Sequence, residues 1–213
     1  NAEKLAKSLK PDNYQNVVAL GNWHVSIHQV DAAKEFYLKA RDYAIKAKNE
    51  SLGHWYLVRI AGVYLDEGMP EKAKPYLESA QKEKLDANLL IHLAEYSELK
   101  HDPKKAVSYY QKAFNMVPMP FLHARIARAA KAMGNQKLAE KEFKLAEKAY
   151  LNVSQSGLIY TLESLADLYT SLDRYPEKAY KLAKDNLKYK RDIHARKVYK
   201  AAKEKLEKKQ SKE

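Results

Sequence analysis

Residues 88–114 read NLLIHLAEYSELKHDPKKAVSYYQKAF. Leu90, Leu93 and Ala94 fall on one helical face, at spacings of three and one. The polar run His101-Asp102-Pro103 interrupts that face. Ala106, Tyr110 and Ala113 then share a second face, at spacings of four and three. Two amphipathic helices joined by a short turn make a helix hairpin.

The same arrangement recurs outward in both directions. An aliphatic residue followed by a small one is answered by an alanine that opens a second stripe. The sets are Leu20-Gly21 with Ala33, Ile60-Ala61 with Ala73, Leu93-Ala94 with Ala106, Ile126-Ala127 with Ala139, and Leu165-Ala166 with Ala179. The first four gaps are twelve residues and the last is thirteen. Self-similarity at this period is the mark of a stacked repeat architecture. Gly21, Ala33 and Ala40 are small because two helices approach closely there, with Leu20, Phe36 and Tyr37 filling the space around them. The second alanine advances by 40, 33, 33 and 40 residues. The long steps coincide with extended second helices, over Ala33 to Asn49 and Gln136 to about Asn152. In the fifth unit Ala179, Ala183 and Asn186 make a weaker second stripe.

Composition agrees. Only 6 Gly and 7 Pro occur in 213 residues, and 46% are apolar, as in a long-helix protein. No apolar run reaches the ~18 residues of a membrane span. The absence of Cys excludes disulfides, thiolate metal sites and cysteine nucleophiles. Net charge is +12, concentrated at one end: residues 178–213 hold 14 Lys and Arg against 5 Asp and Glu. The opening Asn1-Ala2 reads as the remnant of a cleaved tag, so a preceding signal or domain is expected to have been removed. Removal of an export signal would place the protein in the cell envelope or outside; otherwise it would be cytoplasmic.

These residues resemble the tetratricopeptide repeat, whose 34-residue pattern carries Leu-Gly or Leu-Ala and then Tyr in its first helix. Glycine at the turn and Ala, aromatic, Ala in the second helix complete it. The resemblance spans roughly residues 14 to 191. It implies an all-α, right-handed α-solenoid of about five helix hairpins with a C-terminal capping helix. The expected segments are a leading helix within 1–13, repeats over 14–53, 54–86, 87–119, 120–158 and 159–191, and a basic capping helix and tail over 192–213. Ile193, Val198, Ala202 and Leu206 supply the cap's inner face, and the chain frays from Lys208 onward.

The resemblance also implies a concave groove lined by the first helices, binding a protein or peptide. Carried onto this sequence, its positions are Asn22, Trp55, Arg59, Asn88, His92, Glu95, Phe121, Arg125 and Arg128. Aromatic and arginine side chains are favoured anchors. Chaperone-binding members grip a peptide carboxylate with Lys at the fifth position and Asn at the ninth. Here the fifth positions are Val18, Val58, Ile91 and Ala124, and only Asn22 matches, which argues against that clamp and for a more apolar groove.

No nucleophile motif, Gly-rich phosphate loop or HExxH is present, so no enzymatic role, cofactor or metal is expected. His24 and His28 are four apart, but they occupy the repeat's Tyr and turn-Gly positions. Tyr189 and Tyr199 among basic residues leave nucleic-acid or anionic-surface binding by the C-terminal helix as the alternative. Asp192, Glu204 and Glu207 interrupt that run.

Overall fold

Each hairpin is punctuated by side chains placed to start and stop helices. A computed structural model describes residues 4, 8–155, 160–190 and 193–211, with the backbone alone at 154, 155, 160 and 193. Among these are eleven α-helices: α1 (Tyr14–Ser26), α2 (Val30–Lys46), α3 (Glu50–Asp66), α4 (Pro70–Glu83), α5 (Ala87–Leu99), α6 (Pro103–Met116), α7 (Pro120–Ala132), α8 (Gln136–Gln155), α9 (Tyr160–Ser171), α10 (Pro176–Asn186) and α11 (Ile193–Gln210). The leading helix expected near residues 3–10 lies largely outside the described residues.

Helix starts carry acceptor side chains or proline. Asn13, Asn49, Asp86, Asp102 and Asn135 each accept a hydrogen bond from the backbone N–H three residues on, at 2.9–3.0 Å. Pro70, Pro103, Pro120 and Pro176 open α4, α6, α7 and α10, where a missing N–H costs nothing.

The turns show the repeat most directly. His28, Gly68, His101, Gly134 and Asp173 all have φ between +57° and +78°. Each stands seven residues after the small residue of its hairpin. In each case the next residue's N–H bonds the carbonyl five residues back: Gln29 to His24, Met69 to Tyr64, Asp102 to Ser97, Asn135 to Ala130 and Arg174 to Tyr169. This is the left-handed helix ending that glycine serves best. His101 spends about 1 kcal/mol in a region L-residues avoid. We expect His101→Gly to raise the urea midpoint, by about 0.5–1 kcal/mol in stability, with an unchanged denaturant slope. A midpoint that falls would show that the side chain contributes more than the backbone strain costs.

The irregular steps also have local causes. The thirteenth residue of the last gap is absorbed at Tyr175, which is left-handed at φ +45°. The first long step divides between α2 and α3, each 17 residues long, so α3 begins at Glu50, within the span expected for the first repeat. The second long step is carried mainly by α8, at 20 residues.

The chain forms two compact units, residues 1–116 and 117–213. In the first, α1 to α6 pair as three sequential hairpins, and α3 packs on both α2 and α5. Its core comprises Val17, Ala33, Tyr37, Tyr56, Leu57, Ile60, Ala61, Leu77 and Leu89 among others. Gly21 is required there, because a Cβ would lie 2.7 Å from Tyr37 Cε1. In the second unit α7–α8 and α9–α10 are hairpins, and α11 closes against α9 and α10. Phe143, Leu165, Leu168, Tyr169, Ala179 and Ala183 form its core, with Val198 and Ala202 on the inner face of α11. Asn186, the weakest member of the fifth stripe, is fully buried. Helix α11 persists to Gln210, past the expected fraying point, with Lys209 2.6 Å from Glu177.

Ion pairs link successive hairpins within each unit. Lys72 reaches Asp31 at 2.9 Å and Lys100 reaches Glu71 at 2.7 Å in the first. Lys131 and Lys205 converge on Asp173 in the second. The hydrogen-bonding lysines hold Asp31, Glu71, Asp173 and Glu177 below the usual carboxylate range. A carboxylate with a depressed folded pKa contributes stability that is present above its unfolded pKa of about 4 and lost as pH falls through the folded value. We therefore expect the urea midpoint to drop as pH falls below about 4. The groups are exposed, so salt will screen the pairing. An acid-side midpoint that stays flat would contradict this.

Candidate functional site

The expected groove positions meet different fates in the two units. In residues 1–116, Asn22 accepts a 2.7 Å hydrogen bond from the Tyr37 hydroxyl. Arg59 places its guanidinium 5.8 Å from the Tyr37 ring centroid. His92 packs on Gly62, where a Cβ would lie 2.7 Å from its ring, and its Nδ1 is 2.7 Å from Glu95 Oε2. These four side chains serve internal contacts. Trp55 is 42% exposed, its ring edge-on to Tyr56, and Asn88 is exposed.

Of the four fifth-position residues, Val18 is half-buried. Val58, Ile91 and Ala124 are all buried. Adjacent first helices pack side by side, as α3 does on α5, and Val58 joins the core of the first unit.

His24 and His28 serve the fold. His24 Nδ1 lies 2.9 Å from Gln29, its ring stacked on Phe36. His28, at its turn, lies 2.6 Å from Glu67. Among the described residues no group of three or more His, Cys, Asp or Glu is placed to hold a metal ion. No helix among them is long and apolar enough to cross a membrane.

In residues 117–213 three expected positions converge. Phe121, Arg125 and Arg128 line a recess of about 360 Å³ together with Ala124, Tyr150, Glu163, Ser164, Asp167 and His194. Phe121 and Arg125 are four apart on α7, and Arg128 is three further on, so one helix face presents all three. Phe121 is 37% exposed at the rim. Arg128 Nη1 donates to Asp167 Oδ2 at 2.7 Å.

The recess is held from behind by Glu163. This buried carboxylate accepts from Asn186 Nδ2 at 3.1 Å and pairs with Lys190 at 3.0 Å and His194 at 3.3 Å. The Asn186 amide and the Lys190 ammonium donate to it, which offsets the cost of burying the carboxylate. Burial pushes the Tyr150 hydroxyl above its ordinary pKa, against the opposing pull of Arg128. Tyr150 stays neutral near pH 7 and can donate a hydrogen bond. The recess therefore offers guanidinium and phenol donors beside an aromatic rim. It suits recognition of a side chain or chain terminus.

Tyr150, Glu163, Asp167 and His194 were not among the expected residues. Tyr150 stands on the extended end of α8, so that helix's unusual length was the available signal. His194 comes from the capping helix, outside the repeats.

Among solved structures the chain is similar to TTC0263, a thermophilic TPR protein in Thermus thermophilus. The TM-score is 0.61 at 18% identity, covering 89% of this chain and 98% of that one. It is also similar to the MamA protein, with TM-score 0.53 and 17% identity over 84% of this chain and 97% of that one. No family model and no curated protein matches the sequence. The five-fold register of small residues, the left-handed turn seven residues after each, and this likeness together show that the chain has the tetratricopeptide-repeat fold.

Proposed function

We propose that this chain is a protein-interaction scaffold and that its second unit seats part of a peptide in the Phe121–Arg125–Arg128 recess. The tetratricopeptide fold generally serves as a scaffold for protein–protein contact, although fold alone does not choose the partner. The observation that carries the residue-level reading is the convergence of an exposed aromatic and two arginines on one helix face around a hollow. In the first unit, Asn22, Arg59, His92 and Glu95 make internal contacts, as Arg128 does with Asp167, so it is the shared hollow that favours the recess. Trp55 and Asn88 stay exposed in the first unit.

An apolar peptide side chain would rest against Phe121 and Tyr150. Its carbonyl or carboxylate oxygens would accept from Arg125 and Arg128. Random peptides displayed on phage and selected on the immobilised chain test this. Selected peptides should lose binding to a Phe121→Ala, Arg125→Ala variant. Peptides that bind this variant as tightly as the parent would remove the recess from consideration.

A further inference from the structure

The end of the second unit carries positive charge that the fold leaves unspent. Lys188 pairs with Asp185, Lys190 with Glu163, Lys205 with Asp173 and Lys209 with Glu177. Lys181, Lys184, Arg196, Lys197 and Lys200 are exposed and form no close ion pair among the described residues, although Lys181 and Lys184 help to hold Asp185 ionised through space.

Two hollows flank α11. The larger, about 540 Å³, is lined by Asp173, Arg174, Lys205, Lys208 and Lys209 among others. Three of its four cations, Arg174, Lys205 and Lys209, are already paired, with Glu140, Asp173 and Glu177. The smaller, about 400 Å³, lies between the end of α10 and the start of α11 and is lined by Lys184, Leu187, Lys188, Arg196 and Tyr199. Two of its three cations, Lys184 and Arg196, are the unpaired ones. Lys181 extends this face along α10, three residues before Lys184, and Lys200 extends it along α11, four after Arg196. Leu187 and the Tyr199 ring give the hollow a half-buried apolar floor.

We propose that this α10–α11 cleft docks an acidic protein segment bearing an apolar side chain, which sits on Leu187 and Tyr199 while flanking carboxylates meet Lys184, Lys188 and Arg196. Charge complementarity selects the sign of the partner, and the apolar floor selects a peptide over a bare anion. Nucleic acid fits less well. Base recognition by a basic strip relies on open aromatic faces. Tyr199 is instead paired with Tyr180, ring centroids 5.5 Å apart and hydroxyls 3.3 Å apart, and Lys184 lies 6.0 Å over the Tyr180 ring. Tyr189 is open but does not line the cleft. The cleft uses other residues than the Phe121 recess, so the two surfaces stand or fall separately.

Fluorescence anisotropy with a labelled Asp/Glu-rich peptide containing one leucine tests the docking. Lys184→Glu with Arg196→Glu should weaken binding at least ~10-fold. A Lys137→Glu, Lys141→Glu chain of equal net charge should bind within about two-fold of the parent. Replacing the peptide's leucine by serine should also weaken it, and Phe121→Ala with Arg125→Ala should leave it unchanged. Circular dichroism verifies that each variant is folded, and Lys184→Gln with Arg196→Gln provides a milder pair should the reversals unfold. The proposal is overturned if both charge-reversed chains lose affinity equally. It is equally overturned if a single-stranded oligonucleotide occupies the cleft and the peptide cannot displace it.

Discussion

Replacing Phe143 by alanine is expected to cost about 3–5 kcal/mol of stability, the largest effect of any single change considered for this chain. Phe143 is 3% exposed and lies on α8, in the core of the second unit. Its ring centroid is 6.2 Å from that of Tyr169 and 6.4 Å from that of Tyr175, and the Arg174 guanidinium lies 5.5 Å away. Truncation removes the transfer free energy of a phenyl group and leaves a cavity. Tyr169 cannot readily collapse into that space, because its hydroxyl is tied to Glu147 at 2.8 Å. Tyr175 is constrained by its left-handed backbone. Leu145, two residues on and 38% exposed, is the control. Leu145→Ala should stay within roughly 0.5 kcal/mol, as surface substitutions do. Urea unfolding of both variants reads the difference. Equal losses would mean that the α8 face directed at α9 is not the structural core.

Loss of peptide affinity at the recess is the second large effect. If Phe121 and Arg125 are anchors, each alanine substitution should cost about 2 kcal/mol of binding, roughly 30-fold in Kd. Phe121→Ala should do this without lowering stability, since the ring is at the rim. Arg128→Ala should show a mixed phenotype. It removes a donor and also strips Asp167 of its 2.7 Å partner, so binding and urea midpoint should fall together. Arg128→Lys keeps the charge but not the planar fork, and should recover stability more fully than affinity. Titration calorimetry with a selected peptide, beside urea unfolding, separates these outcomes. An unchanged Kd for Phe121→Ala would end the case for the recess.

Legibility of the fold followed from crossing geometry. Where the two helices of a hairpin approach most closely the residues are Gly or Ala, and that constraint recurs along the chain at gaps of twelve or thirteen residues. The turns were legible for the same reason. His28 reads as a turn-glycine substitute from its register alone, and it has the left-handed backbone that role demands. The ends of elements were harder. Glu50 belongs to α3 because Asn49 caps it, a local hydrogen bond that hydrophobic period does not report.

The site was legible only in part. Phe121, Arg125 and Arg128 share a helix face by spacing, and they do line one recess. Val58 and Ile91 looked like an apolar lining, yet the packing of neighbouring first helices buries them. Tyr150, Glu163, Asp167 and His194 come from three helices other than α7. Apart from the length of α8, nothing in local pattern brings them to it.

Sequence by itself therefore determined the hairpins, their register and the turn conformations, because steric and hydrogen-bonding demands act over seven to thirteen residues and leave a periodic trace. Tertiary structure alone decided which side chains remain available to a partner. Availability is a matter of burial and of competing polar contacts between elements far apart in the chain. The same Asn, Arg or His at an inward position binds a ligand or a neighbouring helix according to which lies within about 3 Å.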